Sequence, residues 1–341
     1  MFSISKDRSV IIRGVAILAM LFHHLFYWED DVALCTTYLH VGSEPLLCWL
    51  APAFNPVPVY VLLSGYGHYL SDGRTGMKGL VHRVLRLFAV WWVVLAVFIG
   101  VAQALEPGRY LGSMQELLAN VTAWNTTFYH EAWFLFPYML LSLTSKALFR
   151  VVRRLPVWQT LLLSLLLFIG CARALQIVQP MTFAGQQALL QVLLYGRLVI
   201  FFVIGALMCR FAGTGSMAGR LCTPLTRHAW LAWVLLPLAV VAVSVVKTGA
   251  VLPLYIPLVV LLLAHAPLVP VVQRVLTVLG KYSMPMWLVH TWFAYYLFKD
   301  YVYALRYPVL IFLALTVVSL ATSWVIMQVA RPLQRAVDRL L

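Results

Sequence analysis

Charged residues are scarce in this chain, and acidic ones are the scarcest. Only 11% of its 341 residues are charged, and 11 residues in all are Asp or Glu. Hydrophobic residues make up 63%, and the mean hydropathy is +0.90. A water-soluble domain of this length needs a far larger share of charged surface. The composition therefore excludes a soluble enzyme or binding module and indicates a protein that crosses the membrane several times.

Cysteine is also rare, and its spacing is not that of a metal site. The chain has five cysteines, none of which stands in a C-x-x-C or similar ligand motif. We therefore expect no metal centre. Cys35 and Cys48 lie towards the same predicted membrane face. There they could form a disulfide in an oxidising compartment or remain thiols in a reducing one.

The chain also lacks internal repeats, a soluble appendage and a cleavage site after its first apolar run. That run extends from Val10 to Trp28, carries two histidines, and is followed by the acidic segment 29–31. A secretory signal would end in small residues at a cleavage site. We therefore interpret the run as a retained membrane span and expect residues 1–341 to form a single transmembrane domain.

Long apolar stretches are what the sequence has in abundance. A helix needs roughly 20 apolar residues to cross the hydrocarbon core of a bilayer, and about ten stretches reach that length. The sequence therefore predicts an all-α integral membrane protein, a bundle of about ten transmembrane helices. The predicted spans are 9–28, 47–70, 85–105, 132–149, 158–178, 189–210, 229–246, 250–266, 282–298 and 305–330. Pro253, Pro257 and Pro285 interrupt the later spans.

The basic residues predict the orientation of these spans. Cytoplasmic loops of membrane proteins collect Lys and Arg. If both termini are cytoplasmic, all but six of the 25 basic residues fall on the inner side. The exceptions are Arg109, Arg173, Arg197, Lys247, Lys299 and Arg306. The net charge of +14 then reflects topology and contact with anionic membrane lipids, and we expect no nucleic-acid partner.

Two ionisable residues interrupt the first span and indicate a functional site. Arg13 and His24 are eleven residues apart, which brings a helix almost back to the same face after three turns, about 16 Å along the axis. Ionisable groups inside a span are costly and usually face a pathway or a site. The alternative is that Arg13 extends to the headgroups and that His24 only bonds a neighbouring helix.

The second span has a broken outer half. Its prolines at 52, 56 and 58 remove helical hydrogen bonds just before Ser64, and irregular backbone at membrane depth needs protein or water to satisfy it. We therefore expect a cavity beside Ser64, although a hydroxyl bonding its own backbone is the commoner role for such a serine. Farther on, Arg83 and Arg86 share a helix face. Such a pair suits phosphate groups, but a plain topology signal predicts the same residues.

Six fragments of the sequence together resemble the membrane acyltransferase-3 family. Each is weak alone, but they occur in the order seen in that family, from about residue 8 to residue 295. The fragments are Arg13-x10-His24, the Tyr60 to Gly65 segment, His82-Arg83-x-x-Arg86, His130-Glu131-Ala-Trp133-Phe134-Leu135, the Phe201 to Gly205 segment, and Gly280-Lys281 to His290. Two features depart from the pattern. Histidine is paired at 23 and 24, and Tyr60-Val-Leu-Leu replaces a more aromatic run.

The resemblance implies an inner (plasma) membrane, multi-pass O-acyltransferase. Such an enzyme moves an acyl group, most often acetyl, from cytoplasmic acetyl-CoA or another acyl-CoA to a hydroxyl of a saccharide or glycolipid on the other side. Acyl-CoA is then a co-substrate, and no bound cofactor is expected. The sequence leaves the acceptor, the acyl group and the oligomeric state open.

The resemblance also assigns residues to roles. Arg13 and His24 match the family's essential pair, and a neutral imidazole can act as general base towards an attacking hydroxyl. We expect Arg83, Arg86 and Lys281 on the donor side, and Arg13 at the phosphates or the thioester carbonyl. The residues expected to bind the acceptor or to have a structural role are Ser64, Glu131, Trp133 and His290. For Glu131, an ordinary loop-edge carboxylate is the simpler interpretation.

A transporter or flippase of a sugar or lipid-linked sugar is the alternative function. Ten spans, a broken helix and buried ionisable groups would also serve alternating access. The sequence shows no symmetry between its halves that would favour this alternative.

Overall fold

The structure, a computed structural model, describes residues 3–110, 112–212, 224–225 and 227–340. Its longer helices are α1 (Lys6–Phe26), α4 (Val57–Ser71), α5 (Met77–Leu105), α7 (Leu135–Arg154), α8 (Val157–Val178), α9 (Gln186–Arg210), α10 (Leu231–Val246), α11 (Leu252–His265), α12 (Pro270–Thr291) and α14 (Pro308–Leu340). Shorter helices are α2 (Glu29–Val32), α3 (Leu46–Leu50), α6 (Met114–Val121) and α13 (Lys299–Tyr303). Between α2 and α3, strand β1 (His40–Val41) pairs antiparallel with β2 (Glu44–Pro45).

Seven of the described helical segments are long and apolar enough to cross a membrane. They are Lys6–Phe26, Leu46–Ser71, Met77–Leu105, His130–Arg154, Val157–Val178, Gln186–Arg210 and Pro308–Leu340. Two shorter apolar helices, Leu231–Val246 and Gly249–His265, stand where the seventh and eighth spans were predicted. These findings confirm an all-α, multi-pass membrane protein. The count of ten and the orientation of the termini stay predictions.

The break in the second span is confirmed. Helix α3 ends at Leu50, a 3-10 turn covers Ala51–Phe54, and α4 begins at Val57. The turn includes Pro52, while Pro56 directly precedes α4 and Pro58 lies in its first turn, where proline's missing N–H has no helical partner to lose. Pro52 and Pro56 therefore lie between two helical pieces of one apolar segment, whereas the expectation that Pro58 removes a helical hydrogen bond was wrong.

The ninth span differs from its predicted boundaries of 282–298. Helix α12 begins at Pro270 and ends at Thr291, and a π-helical turn follows over Trp292–Tyr296. Pro285 lies inside this helix, and Pro257 lies inside α11. The expectation that these two prolines interrupt their helices was therefore wrong. A proline removes one helical hydrogen bond, and neighbouring helices can hold the remaining turns in place.

The chain divides into two compact units. Unit 1 contains Met1–Ser3, Val57–Leu221 and Ala330–Leu341, and unit 2 contains Ile4–Pro56 and Cys222–Val329. Helix α14 supplies residues to both. Each unit has its own buried apolar side chains, such as Trp91 and Phe202 in unit 1 and Ile17 and Trp292 in unit 2.

Glycines let the principal helices of unit 2 approach each other closely. A Cβ atom added to Gly14 of α1 would lie 2.1 Å from Leu276 O of α12, and one added to Gly280 of α12 would lie 1.9 Å from Val10 O of α1. Both distances are far below van der Waals contact. Small residues of this kind are typical of helix contacts in membranes. The pair α1 and α12 is therefore in backbone contact at both glycines, and α1 carries Arg13 and His24.

Glycines also allow close contact between α4 and α9 in unit 1. A Cβ atom added to Gly65 would lie 2.0 Å from Phe202 O, and one added to Gly205 would lie 2.0 Å from Leu62 O. Gly65 directly follows Ser64, so the close contact fixes the segment that carries this predicted site residue.

Candidate active site

Two histidines that are 266 residues apart in sequence form the centre of the candidate site in unit 2. His24 lies near the C-terminal end of α1, and His290 lies near the C-terminal end of α12. Their ring centroids are 4.8 Å apart, and 2.9 Å separates His24 Nδ1 from His290 Nε2. His290 is buried, whereas His24 is partly exposed. His24, the predicted general base, therefore contacts His290, which was predicted to bind the acceptor or to have a structural role.

Backbone carbonyls indicate which nitrogen of each ring carries the proton. Trp287 O lies 2.8 Å from His290 Nδ1, and because a carbonyl only accepts, this nitrogen donates. In neutral His290 the other nitrogen, Nε2, is then an acceptor for the proton on His24 Nδ1. Met20 O, 3.1 Å from the same His24 nitrogen, favours the same arrangement. Neutral His24 therefore carries its lone pair on Nε2, the form that a general base requires.

The neighbouring His23 has different surroundings. Its Nδ1 donates to Ala51 O over 2.8 Å, in the 3-10 turn that breaks the second span. Its ring lies against Tyr27, with centroids 4.7 Å apart. His23 thus ties α1 to the broken segment, and of the two histidines only His24 has a described contact with a histidine from another helix.

The segment after α12 holds the end of α1, a role that the sequence analysis missed. The hydroxyl of Tyr295 donates to His24 O, and that of Tyr303 donates to Leu25 O over 2.9 Å. These carbonyls belong to the last turn of α1. Carbonyl groups in the last turn of a helix have no N–H partner within the helix. Burial raises the pKa of Tyr303, and the negative charge of Asp31 adds to this effect, so the hydroxyl stays a donor.

An ion pair joins α13 to α2 in the same region. Lys299 Nζ lies 2.5 Å from Asp31 Oδ1, and only 7% of the Asp31 side chain is exposed. The Lys299 side chain is 37% exposed, so only the carboxylate of this pair is buried. Cys35, nearby, is a free thiol, as is Cys48. Burial, followed by the charges of Asp31 and Cys48, raises the pKa of Cys35 to about 11. The structure describes Cys35 and Cys48 as thiols. A disulfide between them in an oxidising compartment stays a prediction.

Arg13 and Lys281 lie on the two helices that supply the histidines. Arg13 is half-buried on α1, and Lys281 is exposed on α12, directly after Gly280. Along α1 the rise from Arg13 to His24 is about 16 Å. One small group cannot contact both side chains at once, so the two residues fit opposite ends of an extended ligand.

The predicted donor residues of unit 1 have distinct partners. Arg86 Nη1 lies 2.6 Å from both carboxylate oxygens of Asp338, which also accepts from His82 Nε2 over 2.7 Å. Arg83 Nη2 donates to the hydroxyls of Ser71 and Thr75, over 3.1 and 3.3 Å. Asp338 was missed in the sequence analysis because it is 252 residues from Arg86 and no local pattern connects them.

Arg83 and Arg86 also differ in their charge balance. The Arg86 side chain is 41% exposed and shares its carboxylate with a histidine. Arg83 is exposed, and its described hydrogen bonds go to neutral hydroxyls. Of the two, Arg83 is therefore better placed to bind an anionic group without first giving up a carboxylate.

The three other predicted residues also belong to unit 1. Ser64 Oγ donates to Tyr138 Oη over 3.4 Å. Glu131 and Trp133 lie in the 3-10 turn His130–Phe134 that leads into α7, and both are half-buried. The described hydrogen bond of the Ser64 hydroxyl thus goes to a side chain of α7, and not to its own backbone as the structural alternative expects. The cavity expected beside Ser64 stays a prediction.

No metal centre is evident in the residues that the structure covers. Within 3–110, 112–212, 224–225 and 227–340, no three His, Cys, Asp or Glu side chains are grouped so that they could hold a metal ion.

Comparison with known families identifies the class of protein. Residues 10–328 match the family model described as an acyltransferase domain, that of the membrane acyltransferase-3 family. Because the match covers most of the chain, the protein belongs to this family of membrane acyltransferases. No curated protein and no solved structure matches the chain significantly. Family membership supports an acyltransferase, and the transporter alternative gains no support.

Proposed function

We propose that the protein transfers an acyl group, most simply acetyl, from a cytoplasmic acyl-CoA to a hydroxyl of a saccharide or glycolipid at the extracytoplasmic side of the plasma membrane. Family membership supports acyl transfer in general. The observation that carries the choice of base is the contact between His24 Nδ1 and His290 Nε2. It leaves the lone pair of His24 on Nε2, where a hydroxyl proton can be taken up.

The reaction needs one base and no resident cofactor. The acceptor oxygen attacks the thioester carbonyl carbon while His24 Nε2 removes the hydroxyl proton. The carbon–sulfur bond then breaks, and the imidazolium returns this proton to the departing thiolate. The products are an ester of the acceptor and free coenzyme A. Because a thioester is already activated, the scheme requires neither a metal nor a covalent serine intermediate.

The proposed position of the donor rests on the spacing of Arg13 and His24 and on the charge of the arginines. A guanidinium presents several donors to phosphate and is permanently charged. Since about 16 Å of helix separates Arg13 from His24, Arg13 would hold the phosphate end while the thioester meets His24. Arg83, Arg86 and Lys281 are the further donor-side residues of this proposal.

The direct test uses purified full-length protein in lipid nanodiscs with acetyl-CoA labelled in the acetyl group. Extracts of the organism's surface glycans serve as acceptors. We expect label to enter the saccharide fraction as an alkali-labile ester with wild-type protein and not with His24→Ala. If the wild-type protein neither transfers the label nor hydrolyses the thioester, the proposal is wrong.

A further inference from the structure

A cavity of about 460 Å³ opens in unit 2 beside the end of α1 that carries His24. Its wall includes Tyr27 and Trp28, which directly follow α1, and Glu29 and Asp30, which begin α2. Cavities of this size are typical of sites for small organic ligands. The residues in its wall have no role in the reaction scheme above, so the cavity needs its own explanation.

Two aromatic rings form the apolar part of the wall. Tyr27 is 40% exposed and Trp28 is 59% exposed, although both belong to the residue types that usually bury their rings. Their ring centroids are 4.9 Å apart and the rings are nearly perpendicular. They therefore offer two apolar surfaces and, at their edges, a phenol hydroxyl and an indole N–H. A ligand with both C–H faces and hydroxyl groups matches this combination.

The charged part of the wall is acidic. Glu44 is ion-paired with Lys247, which neutralises one carboxylate. In the part of the chain that the structure describes, Glu29 and Asp30 form no ion pair. Ionised carboxylates only accept hydrogen bonds, so they suit the hydroxyl groups of a ligand and repel an anionic one. The wall thus favours a hydroxyl-rich ligand without negative charge.

A continuous series of rings connects the cavity with the candidate base. Ring centroids are 5.5 Å apart from His24 to His23, 4.7 Å from His23 to Tyr27 and 4.9 Å from Tyr27 to Trp28. Trp28 is the fourth residue after His24 and lies beyond the end of α1 at Phe26. A ligand that contacts Tyr27 therefore lies two ring contacts away from His24.

We propose that this cavity binds an uncharged saccharide unit of the acceptor and so presents a neighbouring hydroxyl to His24. The inference rests on the proposed function, because it takes acyl transfer to a saccharide as given. The competing explanation is that Tyr27 and Trp28 only anchor the protein at the membrane interface, where such residues are enriched. In that case their loss would not affect acceptor use selectively.

The test compares variants in a deletion strain of the encoding organism. Trp28→Ala removes one of the two aromatic rings from the wall, and Trp28→Phe keeps an apolar ring there. Asp30→Asn removes one charge at nearly constant side-chain shape. Matched controls are Tyr38→Ala, an aromatic residue 77% exposed outside this wall, and Asp300→Asn, an exposed acid of the same unit. Mass spectrometry of surface glycans measures acylation, and membranes from the same cells measure hydrolysis of acetyl-CoA.

We expect Trp28→Ala and Asp30→Asn to lower glycan acylation at least about tenfold, because the site loses contacts made to acceptor hydroxyls. Hydrolysis of acetyl-CoA and protein level should stay near wild type, Trp28→Phe should recover part of the loss, and both controls should acylate normally. Wild-type-like acylation by both cavity variants, or acyl esters found on anionic sugar units, would overturn the inference. If wild-type protein adds no acyl group to any glycan, the proposed function itself fails.

Discussion

The position of a single proton governs the chemistry expected of His24. Its Nδ1 faces two acceptors, Met20 O and His290 Nε2, and His290 is itself oriented by Trp287 O. These contacts together favour one tautomer of the ring. In this tautomer the second ring nitrogen, Nε2, has no proton and can accept one.

Replacing the two adjacent histidines separately tests the assignment of the base. His24→Ala should lower acyl transfer by about 10²- to 10⁴-fold, the usual contribution of a general base. His23→Ala should retain most activity, because it loses contacts to Ala51 and Tyr27 and no contact to His290. Initial rates with labelled acetyl-CoA, at matched protein levels, measure both. A larger loss in the His23 variant would contradict the assignment.

Changing His290 tests its role in positioning the His24 ring. His290→Ala removes the acceptor of the His24 Nδ1 proton, so kcat should fall by about 10- to 100-fold while KM for acyl-CoA changes little. His290→Gln offers an amide oxygen as acceptor and should recover part of the loss. The pH dependence of kcat should shift in His290→Ala and return towards wild type in His290→Gln. Equal loss in both variants with an unchanged pH profile would indicate a merely structural residue.

The sequence was sufficient to predict individual residues of the candidate site, but not the contacts that they make with residues distant in sequence. The spacing of Arg13 and His24 and the ordered family fragments were sufficient to select His24. Its contact with His290 depends on how α1 packs against α12, which no local periodicity encodes. The capping of α1 by Tyr295 and Tyr303 escaped prediction for the same reason.

At the scale of helices, the close contact of α1 and α12 determines whether the histidines meet. Gly14 and Gly280 allow this contact because a Cβ atom at either position would overlap the backbone of the other helix. Boundaries were predictable where apolar runs have polar flanks, as for the third span, 85–105, which falls inside Met77–Leu105. They were wrong at the ninth span because α12 extends back over Arg274 and Lys281, beyond the apolar run.

Enlarging a contact glycine should therefore separate the helices. Gly280→Ala should lower the unfolding temperature of the purified protein by several degrees, as overpacking costs about 1–3 kcal/mol, and should also lower acyl transfer. The matched control is Gly67→Ala, also in a helix, where nothing lies within 4 Å of an added Cβ atom. Because alanine is the better helix former, this control should be neutral or stabilising. The same destabilisation in both variants would argue against the contact.

Replacing Arg83 and Arg86 near the start of α5 tests their proposed role in donor binding. Arg83→Ala and Arg86→Ala should raise KM for acyl-CoA with a smaller effect on kcat, because lost phosphate contacts weaken binding more than chemistry. Arg83→Ala should have the larger effect, since Arg86 is already engaged by Asp338. Arg173→Ala, an exposed arginine of the same unit, should leave KM unchanged. If all three variants bind donor like wild type, the two arginines are only topology signals.

For the protein as a whole, we propose that donor and acceptor meet inside the membrane protein, which they approach from opposite sides. Composition and the family match establish a multi-pass membrane acyltransferase. The class was predictable from sequence because hydropathy and fragment order are properties of the chain. Sidedness is a separate matter, for which the distribution of basic residues provides the prediction.

Sealed vesicles of known orientation test whether the two substrates approach from opposite faces. Acetyl-CoA labelled in the acetyl group is supplied only on the cytoplasmic face, and the glycan acceptor only on the opposite face. We predict labelled ester on the acceptor, free coenzyme A retained on the cytoplasmic face, and neither product with His24→Ala. Transfer that occurs only when both substrates share one face would contradict the transmembrane scheme, and movement of unmodified saccharide without any ester would contradict the enzyme assignment itself.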